Sequence, residues 1–303
     1  MRYYKFSSYL KEQFGCRVHK VSIDAGFSCP NKDGRFSRDG CIFCDNRGFS
    51  FNTRITPKPV EIQIEEGMKI GKIRFKAEKF IVYFQAYTNT YAPLEVLKEK
   101  YRVVKKFNSI VGIAIGTRPD TVDEEILNLI ESYSREYEVW IEYGLQSIHD
   151  KTLKLINRNH TYRDFLKAVE ATRDRNIKIC AHVILGLPGE SEEEILTTAK
   201  ELGKFRLDGV KIHPLHIIKG TKLEGLYREG EYKPFGLDEY VGVLVKFLEY
   251  LCPDTVIQRI TADCYRQLLV APEWILKKSL LLQRIEKRLE EKNTFQGRLF
   301  QNG

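Results

Sequence analysis

Residues 177–205 read IKICAHVILGLPGESEEEILTTAKELGKF, and this stretch decides the predicted fold. Residues 177–186 are apolar and rich in β-branched side chains, a pattern typical of a buried strand. The turn-forming GLPG segment overlaps its end, and Ser191 then precedes Glu194 by three residues, as in the capping box that begins a helix. The stretch therefore predicts a strand followed by a helix, the repeating unit of parallel α/β sheets.

The same alternation recurs along the chain. The predicted strands are Val18–Asp24, Phe80–Gln85, Ile110–Gly116, Val139–Gly144, Ile177–Gly186 and Gly209–Leu215. The predicted helices between them are Pro57–Lys76, Pro93–Phe107, Asp120–Ser134, Tyr162–Arg175 and Ser191–Phe205. Six strand–helix units predict an α/β fold with a partial (βα)6 TIM-like barrel rather than a complete eightfold one.

The chain changes character after about Gly220. A helix is predicted over Leu237–Leu251, a short apolar run covers Thr255–Ile260, and a basic helix is predicted around Glu273–Glu291. No linker rich in Gly, Ser or Pro precedes this tail, so we expect it to pack on the barrel rather than to form a separate domain. The expected division is a barrel over residues 1–220 and a helical C-terminal extension over 221–303.

The composition limits the class of protein. Hydrophobic residues make up 43% and charged residues 30% of the 303 residues, as in a soluble globular protein with a substantial core. We find no signal peptide and no apolar segment long enough to span a bilayer, so we expect a cytoplasmic protein without a membrane partner. The net charge of +8 permits a polyanionic partner such as RNA, although a Lys- and Glu-rich surface is the plainer interpretation.

Three of the seven cysteines lie in one loop after the first strand: Cys29, Cys41 and Cys44. In a parallel barrel this loop lies at the carboxyl ends of the strands, where active sites are built. One interpretation is a zinc site completed by His19. The other is a 4Fe–4S cluster, since three thiolates leave one iron open for the amino and carboxylate groups of S-adenosylmethionine. Both interpretations are open on these residues alone.

The other four cysteines have no matching partners. Free cysteines are commonly small buried hydrophobes, and we interpret Cys180 and Cys252 in this way. The roles of Cys16 and Cys264 are left open.

Several ordered motifs resemble one known family. The runs are GFSCPNKDGRFSRDGCIFC, FQAYTNTYA, GTRPD, WIEYGLQSIHDKTL, NRNHTY, HVILGLPGES, KIHPLHIIKGT and QRITADCYRQLLVAPEW. Together they resemble the YhcC/YtqA family of radical S-adenosylmethionine (SAM) proteins, relatives of the radical domain of the elongator catalytic subunit. The resemblance implies a 4Fe–4S cluster held by Cys29, Cys41 and Cys44, with SAM as the second cofactor. The gap of eleven residues after Cys29 departs from the familiar CxxxCxxC pattern, and the family shares that departure.

The resemblance also implies a mechanism and a cofactor site. Reductive cleavage of SAM would give methionine and a 5′-deoxyadenosyl radical that removes hydrogen from the substrate, with the electron coming from a donor such as flavodoxin or ferredoxin. The positions implied for cofactor binding are Phe43, Gln85, Asn89, Gln146, Arg158, His182, Ile184 and Gly186. Arg158 and Gln146 match positions at the methionine part of SAM, His182 lies near the ribose, and Phe43 lies beside the adenine.

One element of the radical SAM pattern is missing. The glycine–glycine–glutamate run that commonly binds the cofactor's amino group is replaced by residues 85–90, QAYTNT, and we expect Gln85, Tyr87 and Asn89 to line the site instead. Thr117, Arg118 and Asp120 end a strand at the same rim, where a simple turn pair is the alternative interpretation.

The implied substrate is tRNA, modified on the carbon 5 side chain of the wobble uridine between its carboxymethylaminomethyl, aminomethyl and methylaminomethyl forms. The candidate substrate-binding positions are Tyr87, Arg118, His213, His216, Lys219, Arg259 and Arg266. A structural histidine and a solvated basic helix face are the alternatives for these side chains. Two other functions are considered: a radical enzyme that acts on a small molecule, and a zinc-stabilised nucleic-acid-binding protein.

Overall fold

A computed structural model describes residues 2–301. The strands are β1 Val18–Ile23, β2 Lys79–Phe84, β3 Ile110–Thr117, β4 Glu138–Gln146, β5 Lys178–Leu185, β6 Gly209–Pro214, β7 Ile217–Ile218, β8 Val256–Arg259 and β9 Leu269–Ala271. The helices are α1 Phe6–Phe14, α2 Asn46–Phe49, α3 Val60–Phe75, α4 Leu94–Arg102, α5 Glu124–Ser132, α6 Asp150–Leu155, α7 Tyr162–Arg173, α8 Glu192–Phe205, α9 Lys222–Arg228, α10 Leu237–Tyr250 and α11 Lys278–Glu291.

Seven strands form one parallel sheet in the order β1-β2-β3-β4-β5-β6-β8. The sheet is curled into a half-barrel, and a hydrogen bond of 2.9 Å from Lys20 Nζ on β1 to Gln258 Oε1 on β8 joins its first strand to its last. The partial barrel and its six predicted strands are confirmed. The seventh strand is β8, which belongs to the tail and pairs with β6. Its four residues lie between two helices, and a run this short did not predict that pairing.

The predicted helices are present with shifted ends. Pro59 and Pro93 are the N-cap residues of α3 and α4, with ψ of 141° and 143° that lie outside the helical range, so each helix begins one residue later. Asp123 caps α5 by accepting a hydrogen bond of 2.9 Å from the Ile126 amide, so that helix begins at Glu124. The capping box predicted at Ser191 and Glu194 is confirmed.

Helix α1 was not predicted, because no side chain caps its start. It covers the amino-terminal end of the half-barrel. The rings of Phe6 and Tyr9 each meet the buried Trp140 ring edge to face at 5.8 Å, and Leu10 joins the same apolar cluster. Apolar side chains therefore fill this end of the barrel, and the polar interior lies toward the carboxyl ends of the strands.

The tail packs against the barrel from outside. Helix α10 lies against α8, and α11 lies against α10. Gln296 ties the chain ends together, since its Oε1 accepts from the Tyr4 amide at 2.9 Å and its Nε2 donates to the Cys252 carbonyl at 2.7 Å. Cys180 and Cys252 are buried, as predicted. The division near residue 220 stays a prediction.

No helix within residues 2–301 is both long enough and apolar enough to cross a membrane.

Candidate active site

A cavity of about 440 Å³ opens at the carboxyl ends of the parallel strands. Most of the residues that sequence reasoning selected line it. They are Cys29, Cys41, Phe43, Cys44, Gln85, Tyr87, Arg118, Gln146, Arg158, His182, Ile184, His213, His216 and Arg259. The half-barrel therefore brings together side chains that are up to 230 positions apart in sequence, between Cys29 and Arg259.

Four of the selected residues do not line the cavity. Asn89 is fully buried and its Nδ2 donates to the Gly116 carbonyl at 2.8 Å, which places it as a support beneath the loop after β2. The Gly186 carbonyl accepts from the Tyr232 hydroxyl at 2.8 Å. Lys219 and Arg266 are exposed at the surface.

The cysteines lie in the loop of residues 24–45, here called the cysteine loop. Its buried Asn31 fixes it to the segment after α6, because Asn31 Nδ2 donates to the carbonyl of Asn157 at 2.7 Å. Asn157 Nδ2 in return donates to the Gly40 carbonyl at 2.7 Å. Sequence reasoning missed Asn31. Its position two residues after Cys29, within a turn, was the available signal.

The Cys44 thiol lies close enough to the other two cysteines for them to affect its pKa. Burial raises the pKa of the Cys44 thiol, and the neighbouring Cys41 and Cys29 raise it further, while Lys32 and Arg158 oppose the shift. Three thiolates held near one another without a cation repel, and bound iron would relieve that repulsion because it takes up the deprotonated form. The donor set, three cysteines at the cavity wall, fits a 4Fe–4S cluster in which three irons each take one thiolate and the fourth has no protein thiolate.

The zinc interpretation finds less support. The His19 ring, proposed as the fourth ligand, stacks on the Phe75 ring at 4.5 Å. Among residues 2–301, no three His, Cys, Asp or Glu side chains, the cysteine triplet included, form a group that could hold a single metal ion.

Arg158 lies between the cysteine loop and β4. The residue is 8% exposed, its Nη2 donates to the Gly144 carbonyl at 2.9 Å, and its Nη1 is 3.7 Å from Cys41 Sγ. Gly144 permits this approach, since a Cβ there would lie 2.6 Å from Arg158 Nη2. Arg118 supports the same segment, donating to the Arg158 carbonyl at 2.8 Å while it pairs with Asp120.

Gln146 and Tyr87 both have left-handed backbones, with φ of 73° and 63°. Such a conformation is unusual for residues other than glycine and is found where surrounding structure fixes it, often at functional sites. At Gln146 it coincides with a register irregularity in the pairing of β4 with β5. The two side chains line the cavity from separate strand ends.

Deeper in the barrel lies a charged layer formed by Lys20, Glu142, His182 and Lys211. Glu142 is fully buried; its Oε1 lies 2.6 Å from Lys20 Nζ, and its Oε2 pairs with Lys211 Nζ and lies 2.9 Å from His182 Nε2. Sequence reasoning selected only His182. Lys20, Glu142 and Lys211 are each a charged residue within a predicted strand. A charge at an inward-facing strand position was the feature that could have indicated them.

The charges in this layer shift one another's protonation. Burial opposes the ionised form of Glu142, but Lys20 and Lys211 outweigh it and hold its pKa well below the usual range. Burial lowers the pKa of His182 to about 4 despite its bond to Glu142. His182 is therefore neutral near pH 7 and donates through Nε2 to Glu142. Burial lowers the pKa of Lys211 to about 7, with Glu142 opposing that shift.

Comparison with known proteins places the chain in a family. Residues 32–202 match the Radical SAM superfamily, and residues 207–291 match the Radical_SAM C-terminal domain. YtqA of Bacillus subtilis is 36% identical over 300 residues, which cover 99% of this chain and 93% of the relative. YhcC of Escherichia coli K12 is 35% identical over 287 residues, covering 94% and 92%. The chain belongs to the YtqA/YhcC family of radical SAM proteins.

Two further similarities involve longer proteins. A tRNA uridine(34) acetyltransferase of Methanocaldococcus infernus is 32% identical over 186 residues, which cover 60% of this chain and 34% of that relative. The solved structure of the archaeal Elp3 of the same organism covers 92% of this chain and 64% of its own, with a TM-score of 0.67 and 23% identity, and so shares the fold. The protein is a radical SAM enzyme, with SAM and a 4Fe–4S cluster as its cofactors.

The pKa of Lys211 gives a prediction for stability. Between about pH 7 and 10.5 the unfolded chain holds a proton on Lys211 that the folded chain does not, so the free energy of unfolding rises with pH. We expect Lys211→Met to remove up to about 1.4 kcal/mol of that rise per pH unit. Urea unfolding of the wild type, Lys211→Met and the exposed control Lys72→Met across this range measures it. Equal pH slopes for all three proteins would contradict the prediction.

Proposed function

We propose that this radical SAM enzyme modifies the carbon 5 side chain of the wobble uridine of tRNA, between the carboxymethylaminomethyl, aminomethyl and methylaminomethyl forms. One observation carries the proposal: the region shared with a tRNA uridine(34) acetyltransferase covers 60% of this chain. That relative's name specifies the nucleotide at which its reaction occurs. The two proteins differ greatly in length, so the proposal takes from the relative the substrate nucleotide and not the acetyl transfer.

In this proposal Cys29, Cys41 and Cys44 hold the cluster. When bound, the cluster and SAM supply a 5′-deoxyadenosyl radical that removes a hydrogen atom from the substrate. Arg158 lies against Cys41 with its guanidinium fixed by Gly144, so it would offer a charged donor to the carboxylate of SAM. Gln146, at the end of the neighbouring strand, offers both a donor and an acceptor.

The remaining cofactor positions lie on neighbouring parts of the cavity wall. His182 is neutral and lies toward the interior, where a hydroxyl group of the ribose could accept or donate a hydrogen bond. Ile184 and Phe43 belong to one apolar cluster and form a surface for the adenine ring. The apolar cluster beneath α1 closes the opposite end of the barrel and helps to exclude water from the site.

The surface beside the cavity mouth suits RNA. Phe51 and Tyr265 are 62% and 40% exposed, and the Arg54 guanidinium lies over both rings, 5.5 and 4.2 Å from their centroids. The Tyr265 amide donates to the Gly48 carbonyl at 2.7 Å, which places this group next to the cavity-lining Phe49. Exposed aromatic rings with arginine are the usual platform for unpaired bases, and a net charge of +8 favours their phosphates.

The expected partners are tRNA and an electron donor such as flavodoxin or ferredoxin. Both would be met in the cytoplasm, the location that we expect for the protein.

The cluster assignment predicts the iron content of cysteine variants. We expect the anaerobically reconstituted wild type to hold four irons and four sulfides per chain and, with a reductant, to release 5′-deoxyadenosine from SAM. Cys29→Ala, Cys41→Ala and Cys44→Ala should each lose most of the iron and all detectable cleavage. Cys16→Ala, outside the cysteine loop, is the matched control and should behave as wild type. A variant of the triplet that keeps full iron content and cleavage would refute the assignment.

The substrate assignment predicts a change in tRNA composition. In a strain that lacks the gene, nucleoside mass spectrometry should show carboxymethylaminomethyluridine accumulating while the aminomethyl and methylaminomethyl forms disappear. A plasmid carrying the wild type or Cys16→Ala should restore them, and one carrying Cys41→Ala should not. An unchanged set of wobble uridines in the deletion strain would exclude this substrate.

A further inference from the structure

The charged layer contains more positive than negative charge. Two lysine side chains, the buried Lys211 and the partly buried Lys20, face a single carboxylate, that of Glu142. His182 adds no anion, and Arg259, also at the cavity wall, pairs at 2.8 Å with Asp263, which Lys278 also contacts. A buried cation without a matching anion is costly, because the interior solvates it poorly. The layer is therefore one negative charge short of balance whenever Lys211 is protonated. Burial, with a contribution from Lys20, lowers the pKa of Lys211 to about 7, and a bound anion would favour the protonated form.

Hydrogen-bond donors are also in excess at this place. Lys20 Nζ donates to Glu142 Oε1 and to Gln258 Oε1, the latter at 2.9 Å, which fixes the orientation of the Gln258 amide. The Nε2 of Gln258 is buried, and within the described chain it has no hydrogen-bond partner. Each ammonium has three donors, and Lys211 places one of them on Glu142. The layer thus has more donors, on β1, β6 and β8, than the acceptors of Glu142 and Gln258 satisfy.

The layer lies deep in the cavity but is accessible from its mouth. Lys20, Glu142, His182, Lys211 and Gln258 all line the cavity. Glu142 and Lys211 lie two residues before Gly144 and His213 on their strands, so the layer is roughly 7 Å below the rim. An RNA backbone phosphate cannot reach this depth, whereas an acidic group at the end of a flexible side chain can.

We propose that Lys20, Lys211 and Gln258 form an anion subsite that binds a carboxylate at the end of the substrate's side chain. This inference rests on the proposed function, because a carboxymethylaminomethyl group has such a terminus. A bound carboxylate supplies the missing negative charge and accepts from the unused donors. It also explains why an enzyme interior retains two lysines beside one glutamate: the substrate completes the ion cluster, and a substrate without the acid does not.

A carboxylate could instead come from SAM itself. Arg158 lies beside Cys41 Sγ and is the charge placed for the methionine end of the cofactor, whereas the charged layer is deeper in the barrel. The two sources make different predictions for SAM affinity, so the experiment measures both ligands.

The test uses the full-length, anaerobically reconstituted protein without reductant. The probes are anticodon stem–loop RNAs with uridine, 5-carboxymethylaminomethyluridine or its neutral carbamoyl analogue at position 34, and their dissociation constants are measured by fluorescence anisotropy. We expect the wild type to bind the acid at least about tenfold more tightly than the amide. Lys20→Met and Lys211→Met should bring that ratio near one while leaving SAM affinity unchanged. Lys72→Met, an exposed lysine on α3, should keep the wild-type ratio.

Wild-type SAM affinity in Lys20→Met and Lys211→Met would show that both variants are folded, and a second variant tests the same lysine groups from the opposite side. Glu142→Gln removes the carboxylate that competes for the same ammonium groups, so it should raise the preference for the acid above that of the wild type. A merely structural role for Glu142 gives no such gain.

The outcomes separate the inference from the proposed function. If both modified RNAs bind more tightly than the uridine RNA but equally well, the anion subsite is refuted and the proposed function stands. If neither binds more tightly than the uridine RNA, the proposed function fails and the subsite fails with it. If the lysine variants keep the acid preference, or lose SAM affinity in parallel with it, the subsite does not bind the substrate carboxylate.

Discussion

One buried carboxylate, that of Glu142, organises the interior of this half-barrel. It lies on β4 at the centre of the sheet and contacts Lys20 on β1, His182 on β5 and Lys211 on β6. These contacts require the sheet to curl, because strands β1 and β6 would be far apart in a flat one. Since a buried charge is stable only with partners, the ion cluster and the curvature depend on each other.

The barrel interior is divided by depth. At the amino-terminal end, α1 and Trp140 fill the barrel with apolar side chains. The charged layer lies above them, and the cysteine loop, fixed by Asn31 to the segment after α6, lies at the carboxyl ends. In this order the cysteine loop lies at the mouth of the cavity, and the charged layer, with two lysines and one glutamate, lies beneath it. A side chain that enters from the mouth would meet the cofactors first and the charged layer last.

Sequence reasoning predicted the parts that local patterns define. The β-branched runs and the Ser191 capping box indicated the sheet and its helices. The cysteine spacing and the GLQS segment indicated residues at the cavity rim. The parts that depend on distant contacts were missed. Lys20 and Lys211 acquire their role only because curling brings β1 and β6 to the same carboxylate, and β8 is recognisable as a strand only beside β6. Asn89 was expected to line the cavity, but its side-chain amide donates to the Gly116 backbone carbonyl instead.

The most direct test of the account follows one hydrogen atom. Wild-type enzyme is supplied with SAM, reductant and tRNA whose wobble carboxymethylaminomethyl group carries deuterium on its methylene carbons, and the 5′-deoxyadenosine formed is analysed by mass spectrometry. The account predicts deuterium in 5′-deoxyadenosine, because the side chain that the charged layer receives is the one that gives up hydrogen. Turnover that produces 5′-deoxyadenosine without deuterium would contradict it.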